Sequence, residues 1–268
     1  REAMKSLHLS DSPEPVAPVI IADIPVSPLS TRQWVQLMLD DCREAREGRA
    51  TTRYHAAING NVISAYARNR VFRDAYRHAD AVAADGVPVL WAARLIAGRE
   101  IPDRAATTDL FHDLAAAAQD HGYSMYFLGA TDEENGRAVA RVRQLYPRLV
   151  IAGARNGYFS AEEEDAVVQQ ILDARPDILW VALGMPREDV FVARNLHRFG
   201  GIAWVKTCGG LFNFLSASRP RAPMWMQRAG LEWLYRMALE PRRLFWRYLT
   251  TNLDAIWQIL RKTPRRQG

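Results

Sequence analysis

The stretch "PDILWVALGMPREDVFVARN" (residues 176–195) decides the fold. Residues 178–183 form an apolar run of strand length, Gly184-Met185-Pro186 turns the chain, and a helix begins near Pro186. The same strand, turn and helix unit recurs along the chain. Further strands are expected over 19–22, 54–58, 81–84, 125–128, 149–152 and 202–205, and further helices near Ser30, Asn61, Gly86, Thr108, Asp132, Ala161 and Pro223. Ser160-Ala-Glu-Glu163 reads as a capping box, and Thr131 opens a helix with acids on its first turn. Strands alternating with helices predict an α/β fold: a mostly parallel, Rossmann-like sheet covered on both faces, with a helical appendage at its C-terminal end.

In such sheets ligands bind where glycine-rich turns lead from strand ends into helices. Asp85-Gly86, Gly129-Ala130-Thr131, Asn156-Gly157-Tyr158-Phe159, Gly184-Met185-Pro186 and Cys208-Gly209-Gly210 all fall at such turns. Together they suggest one polar rim suited to a phosphorylated ligand. Any one of them is also explained by turn geometry alone. Neither GxGxxG nor GxxxxGK[ST] occurs, so a nicotinamide dehydrogenase and a P-loop nucleotidase both lack their main support.

With 268 residues, 49% of them hydrophobic, the chain can bury a large core. Its two cysteines, Cys42 and Cys208, stand far apart, which fits a reducing compartment and indicates neither a disulfide framework nor a zinc site. The six histidines lack ligand spacing; His55, in an expected strand, is the one nearest the rim, and a structural role suits it better than a catalytic one. Asp85 and Arg94 interrupt the longest apolar stretch, so no membrane span is expected, and the N-terminal end shows no signal-peptide pattern.

Charge divides the chain. The net charge is +5, but residues 219–268 alone carry +8, with four of the eight tryptophans, so the remainder is slightly acidic. Residues 1–17 look like a flexible leader, 18–215 like the α/β domain and 216–268 like a basic appendage. Helices over 223–239 and 242–260 place aromatic and aliphatic side chains on one face and arginines beside it. This pattern suits a helix pair lying on an anionic membrane, and equally a pair packed on the core with solvated arginines. Nucleic acid is disfavoured as a partner, because the rest of the protein is acidic and shows no binding module.

Asp85 stands in the apolar run "VAADGVPVLWAARLIAG" (82–98), where an unpaired carboxylate is costly unless it caps a helix, is exposed in a cleft or is chemically employed. Position alone leaves helix cap and general base equally open.

The order "INGNVISAYARN" (58–69), "ADGVPVLWAARLIAG" (84–98), "PDRAATTDL" (102–110), "YFLGAT" (126–131), "NGYF" (156–159), the 176–195 stretch and "CGGLFNFLSASRPRAPMWMQRAGLEWLYRMALEPRRLFWRYL" (208–249) resembles the WecG/TagA/CpsF glycosyltransferases. The resemblance runs from about Val19 to Ile259. It implies a bacterial, inverting, metal-independent transferase using a UDP-sugar and a polyprenyl-diphosphate-linked sugar, peripheral at the cytoplasmic face of the inner membrane. It implies Asp85 as the base that deprotonates the acceptor hydroxyl, with Asn59, Arg104, Asp109, Arg187, Glu188, Gly209, Gly210 and Asn213 binding substrate. Arg221, Arg228, Arg236, Arg243 and Arg247, with Trp225 and Trp233, would meet the membrane or the diphosphate. Asn59 also reads as a turn residue, and Arg104 with Asp109 as an ion pair tying down a loop. Three departures bear on the donor sugar: Glu188 where relatives carry Gln, Asn213 where Asp is frequent and Thr107 where Gly is common. Two of them, Glu188 and Asn213, with the Ala- and Arg-rich composition, favour the xanthan-type branch and β-1,4 transfer of glucose in exopolysaccharide synthesis. The alternative is N-acetylmannosamine or N-acetylmannosaminuronic acid transfer in teichoic acid or common antigen synthesis. A non-catalytic scaffold for lipid-linked intermediates is the contrasting reading, and the apolar faces of the last helices leave room for a homo-oligomer.

Overall fold

The computed structural model describes residues 17–216, 222–223, 225–226, 231–239 and 241–265. Apart from Ala17, the expected leader lies outside the described residues.

Six strands form one parallel sheet: β3 (Arg53–Ile58), β4 (Ala81–Ala84), β5 (Ser124–Gly129), β6 (Val150–Arg155), β7 (Ile178–Ala182) and β8 (Trp204–Thr207), in the order β4-β3-β8-β7-β5-β6. Strands β4, β5, β7 and β8 are buried at every residue, as a parallel sheet covered on both faces requires. Edge strand β6 is largely half-exposed. One face packs against α1 (Thr31–Arg46), α5 (Thr107–His121), α6 (Asp132–Leu145) and α9 (Leu211–Leu215) through Trp34, Phe111, Leu114, Val142 and Phe212. The other carries α2 (Gly60–Arg68), α3 (Arg70–Tyr76), α7 (Glu164–Ala174) and α8 (Arg187–Asn195) on Ile63, Phe72, Ile171, Phe191 and Val192.

Several sequence expectations change. The 19–22 run does not enter the main sheet: β1 (Val19–Ile21) pairs antiparallel with an unforeseen β2 (Ile24–Val26) through Ala22 and Asp23, both at positive φ, which is the twist a two-residue hairpin needs. Strand β8 lies two residues later than expected, because it extends through Lys206 and Thr207 to pair with β3 and β7. Helix α3, the five-residue α9 and a π-helical segment at Ala93–Ala97, continuing α4 (Val87–Ala92), were not foreseen. Thr131 caps α6 through Glu134 N as expected, whereas the 160–163 box forms only one arm, Ser160 N donating to Glu163 Oε2 at 2.8 Å.

The helix expected over 223–239 is interrupted: Leu231 is not helical, and α10 runs Glu232–Leu239. Helix α11 (Pro241–Lys262) begins on proline, whose fixed φ and missing N–H suit a first turn. Its C-terminal half docks on α2, with Ala255 and Ile259 buried. Asp254 Oδ2 accepts from Ser64 Oγ at 2.6 Å and Arg68 Nε at 2.9 Å, and Ala22 N donates to Thr263 Oγ1 at 3.1 Å. Ala255 and Ile259 form the packed stripe of this helix, and Ile256 and Leu260 are left exposed. The Ser64 bond to a carboxylate contributes on the order of 2 kcal/mol. Asp254→Ala is therefore expected to lower Tm slightly and to speed proteolysis within α11 relative to the core; an unchanged cleavage rate would show that apolar packing alone docks the helix.

Candidate active site

A cleft of about 1090 Å³ opens at the carboxyl ends of the strands, its walls built from the turns after β3, β4, β5, β7 and β8. Glu232 and Met237 of α10 and Asn252 and Ile256 of α11 close one side. Five crossovers of the same hand bring turns distant in sequence to one edge.

Asp85 follows β4 and is half-buried on the cleft wall. The helix behind it is capped by Gly86, with no side-chain capping bond, so Asp85 is not the helix cap. Its Oδ2 accepts from Thr107 Oγ1 at 3.1 Å, which gives the Thr107 departure a function. Burial raises the Asp85 pKa above the ordinary carboxylate value; Arg104, Lys206 and the Thr107 hydroxyl pull the other way, and Glu232 adds to the rise. A carboxylate so placed is a competent proton acceptor.

Asn59 caps α2, its Oδ1 accepting from Asn61 N and Val62 N at 3.1 and 3.2 Å, and it lines the cleft. The turn reading of Asn59 is borne out by this cap, with its carbonyl oxygen bonded to the helix N-terminus. Arg104 lines the cleft too; its guanidinium lies 3.3 Å from Glu232 Oε2 and 3.8 Å from Asp109 Oδ2. Asp109 itself does not line the cleft and acts on Arg104 from behind. The Arg104–Glu232 bond joins the α/β domain to α10 across 128 residues of sequence.

Glu188, largely buried, lines the cleft, its carboxylate accepting from Gly184 N at 3.0 Å and Gly209 N at 3.2 Å, so it clamps the turns after β7 and β8 together. Gly209 sits at φ +51°, a left-handed conformation that glycine adopts without strain. Burial, reinforced by neighbouring Asp189, pushes the Glu188 carboxyl up to about 8. Asp189 accepts from the Tyr54 hydroxyl at 2.6 Å. Lys206 lies fully buried among these acids. Asn213 Nδ2 donates to Glu134 Oε1 at 2.6 Å on the same wall, beside Gly210.

Arg187 is displaced from its expected role: exposed and off the cleft wall, it donates to the Phe159 carbonyl at 2.8 Å and stacks on that ring at 4.7 Å. Helix geometry turns consecutive residues to different sides, so Glu188 inside puts Arg187 outside. His55 is buried at 4.4 Å from the Trp34 ring with neither ring nitrogen hydrogen-bonded among the described residues, and burial holds its pKa well below the ordinary value. Arg221 and Arg228 lie outside the described residues. Arg236, Arg243, Arg247 and Trp233 fall within α10 and α11, and Trp225 is exposed.

Sequence reasoning missed Lys206, Asp189, Tyr54, Glu134 and Glu232. Lys206 alone carried a signal, a cation within an otherwise apolar strand ending at a glycine turn.

The profile of the glycosyl transferase WecG/TagA/CpsF family matches residues 19–268. A similar protein of Bacillus subtilis (strain 168), an N-acetylglucosaminyldiphosphoundecaprenol N-acetyl-beta-D-mannosaminyltransferase, is 31% identical over 188 residues, 70% of this chain and 72% of that one. One with the same activity from Bacillus spizizenii (strain ATCC 23059 / NRRL B-14472 / W23) is 34% identical over 183 residues, 68% of this chain and 69% of its own. With the parallel sheet and its carboxyl-edge cleft, these matches make the chain a member of the WecG/TagA/CpsF glycosyltransferase family.

Proposed function

We propose that the protein transfers N-acetylmannosamine from its UDP-sugar to N-acetylglucosamine on a polyprenyl diphosphate. The donor and acceptor follow the activities of the two relatives, which favour the N-acetylmannosamine reading over glucose. One observation carries the chemistry: Asp85 faces the cleft, freed from capping duty, with Arg104 on the same wall. Asp85 takes the proton of the acceptor hydroxyl as that oxygen attacks the anomeric carbon, and the bond to UDP breaks with its electron pair on the diphosphate. Arg104 offsets charge on a diphosphate. Asn59, Gly209, Gly210 and Asn213 line the donor and acceptor pocket. No metal enters this scheme.

The reading places the enzyme as a peripheral protein on the anionic cytoplasmic face of the membrane. No described helix is long and apolar enough to cross a membrane. Trp246, Leu253, Trp257 and Leu260 on α11 are each more than half exposed, in a segment rich in arginine, and apolar residues so presented suit a lipid surface.

The test offers UDP-N-acetylmannosamine, UDP-N-acetylmannosaminuronate and UDP-glucose separately, with N-acetylglucosamine- or glucose-diphosphate lipid, and identifies the product by mass. N-acetylmannosaminyl transfer is expected. Glucosyl transfer alone would replace this donor with the xanthan-type one, and silence with every pair from folded, vesicle-bound protein would leave the scaffold reading.

A further inference from the structure

A second pocket, of about 450 Å³, lies apart from the cleft and shares no lining residue with it. Four elements meet there. The turn of the β1–β2 hairpin brings Asp23, α2 brings Tyr66, α3 brings Arg70, Arg73, Asp74 and, at its C-cap, Arg77, and the last residue of α11 brings Lys262. Arg70, Arg73 and Arg77 stand three and four residues apart, so they share one helix face, where like charges repel. Lys262 adds a fourth cation from a segment distant in sequence.

The carboxylates present do not satisfy these charges. Asp74 Oδ2 lies 3.5 Å from Arg70 Nε and its Oδ1 lies 3.8 Å from Arg77 Nη1, while Asp23 Oδ2 lies 3.5 Å from Lys262 Nζ. A charge-assisted hydrogen bond closes to about 2.7–2.9 Å, so these are loose pairs. Both acids are more than half exposed, where such pairs contribute little. Arg73 pairs with no carboxylate among the described residues: its Nη1 donates to the Tyr66 and Ala67 carbonyls, both at 3.2 Å, near the end of α2. That fixes the guanidinium while its Nε and Nη2 hydrogens remain to meet another acceptor. Arg77 is oriented in the same way, its Nε donating to the Tyr66 hydroxyl at 3.3 Å. Four cations thus face two carboxylates, and the surplus of two positive charges matches a phosphate dianion.

We propose that this pocket binds a phosphate-bearing anion, inorganic phosphate or a phosphomonoester, with Arg73 as its central donor and Arg70, Arg77 and Lys262 around it. Guanidinium forks match phosphate oxygens in pairs, and the lysine adds a point charge. The anion takes the place of the loose carboxylate pairs and ties Lys262 to α3. Helix α11 also lines the cleft through Asn252, Ile256 and Ile259, so a ligand here secures the helix that closes one side of the active site. The same phosphate chemistry is offered by a soluble compound and by a lipid headgroup.

The experiment titrates inorganic phosphate into the full chain by isothermal titration calorimetry, for the wild type, Arg73→Gln, Lys262→Gln and Arg104→Gln. Removing one charge-assisted contact is expected to weaken binding at this pocket by about tenfold. Lys262→Gln serves where Arg73→Gln, which also loses its bonds to the end of α2, fails to fold. Arg104→Gln takes a cation from the cleft and none from the pocket, and is expected to leave this binding unchanged. A second arm measures co-sedimentation with phosphatidylcholine vesicles holding phosphatidic acid or, at matched surface charge, phosphatidylserine, whose phosphate is a diester. Lower phosphate affinity in the pocket variants with unchanged vesicle binding assigns a soluble phosphate. Loss of a preference for phosphatidic acid in those variants assigns the headgroup, whether or not free phosphate binds. Wild-type protein that binds neither probe, or folded pocket variants that match it on both, overturns the proposal. So does phosphate binding that falls only in Arg104→Gln, since it then belongs to the cleft.

Discussion

Asp85→Asn is expected to lower kcat by about 10²- to 10⁴-fold, the usual contribution of a positioned general base, while the protein folds normally. Asparagine is isosteric, and its carbonyl can accept the Thr107 hydroxyl as Oδ2 does now, so the wall keeps its shape. The substitution removes only the ability to take a proton. Stability supplies an independent check, and its sign is fixed by the pKa. Because burial raises the Asp85 pKa in the folded state, the native protein holds this proton more tightly than the unfolded chain. The group's favourable contribution is complete below the unfolded carboxyl pKa and is lost as pH rises through the folded value. At neutral pH the asparagine variant should therefore match or exceed the wild type in Tm, with the advantage vanishing in acid. Turnover at the wild-type rate from folded Asp85→Asn would remove Asp85 from the base's role.

Gly129→Ala should have the largest effect on stability. Gly129 ends β5 at φ +139°, a region nearly reserved for glycine, and a Cβ there would lie 2.3 Å from the carbonyl oxygen of Ala182 on neighbouring β7. Both the obstacle and the residue belong to the backbone of two paired strands, so neither yields as a side chain does. Strain and overlap together cost about 3 kcal/mol or more. For a chain of this size that is a fall in Tm of roughly 6–12 °C, or loss of soluble protein. Because β5 leads into Ala130 on the cleft wall, donor binding should weaken in whatever folds. Gly136→Ala, where a Cβ on exposed α6 meets nothing within 4 Å, is the control and should be neutral or slightly stabilising. Equal stability of the two variants would show that the sheet relaxes at Gly129.

Much of the site was legible because it sits at the ends of local units. Residues 81–84 are a four-residue apolar run closed by Asp85-Gly86, and that pattern placed Asp85 at a strand end without help from the rest of the chain. Asn59 and the Cys208-Gly209-Gly210 turn were found the same way. Arg187 and Glu188 show the limit: adjacent residues at one helix start were both assigned to the pocket, and the helical turn keeps Glu188 on the cleft while sending Arg187 onto Phe159.

By itself the sequence determined the alternation of strands and helices, the positions of the turns and the uneven distribution of charge, since each depends on side chains within a few residues of one another. Only the tertiary structure decided that β8 inserts between β3 and β7, that Glu232 reaches Arg104 and that Lys206 lies among Asp85, Glu188 and Asp189. Strand order is set by how crossovers pack whole faces together. A buried charge finds its partners across more than a hundred residues through that packing, and periodicity within a segment carries no record of it.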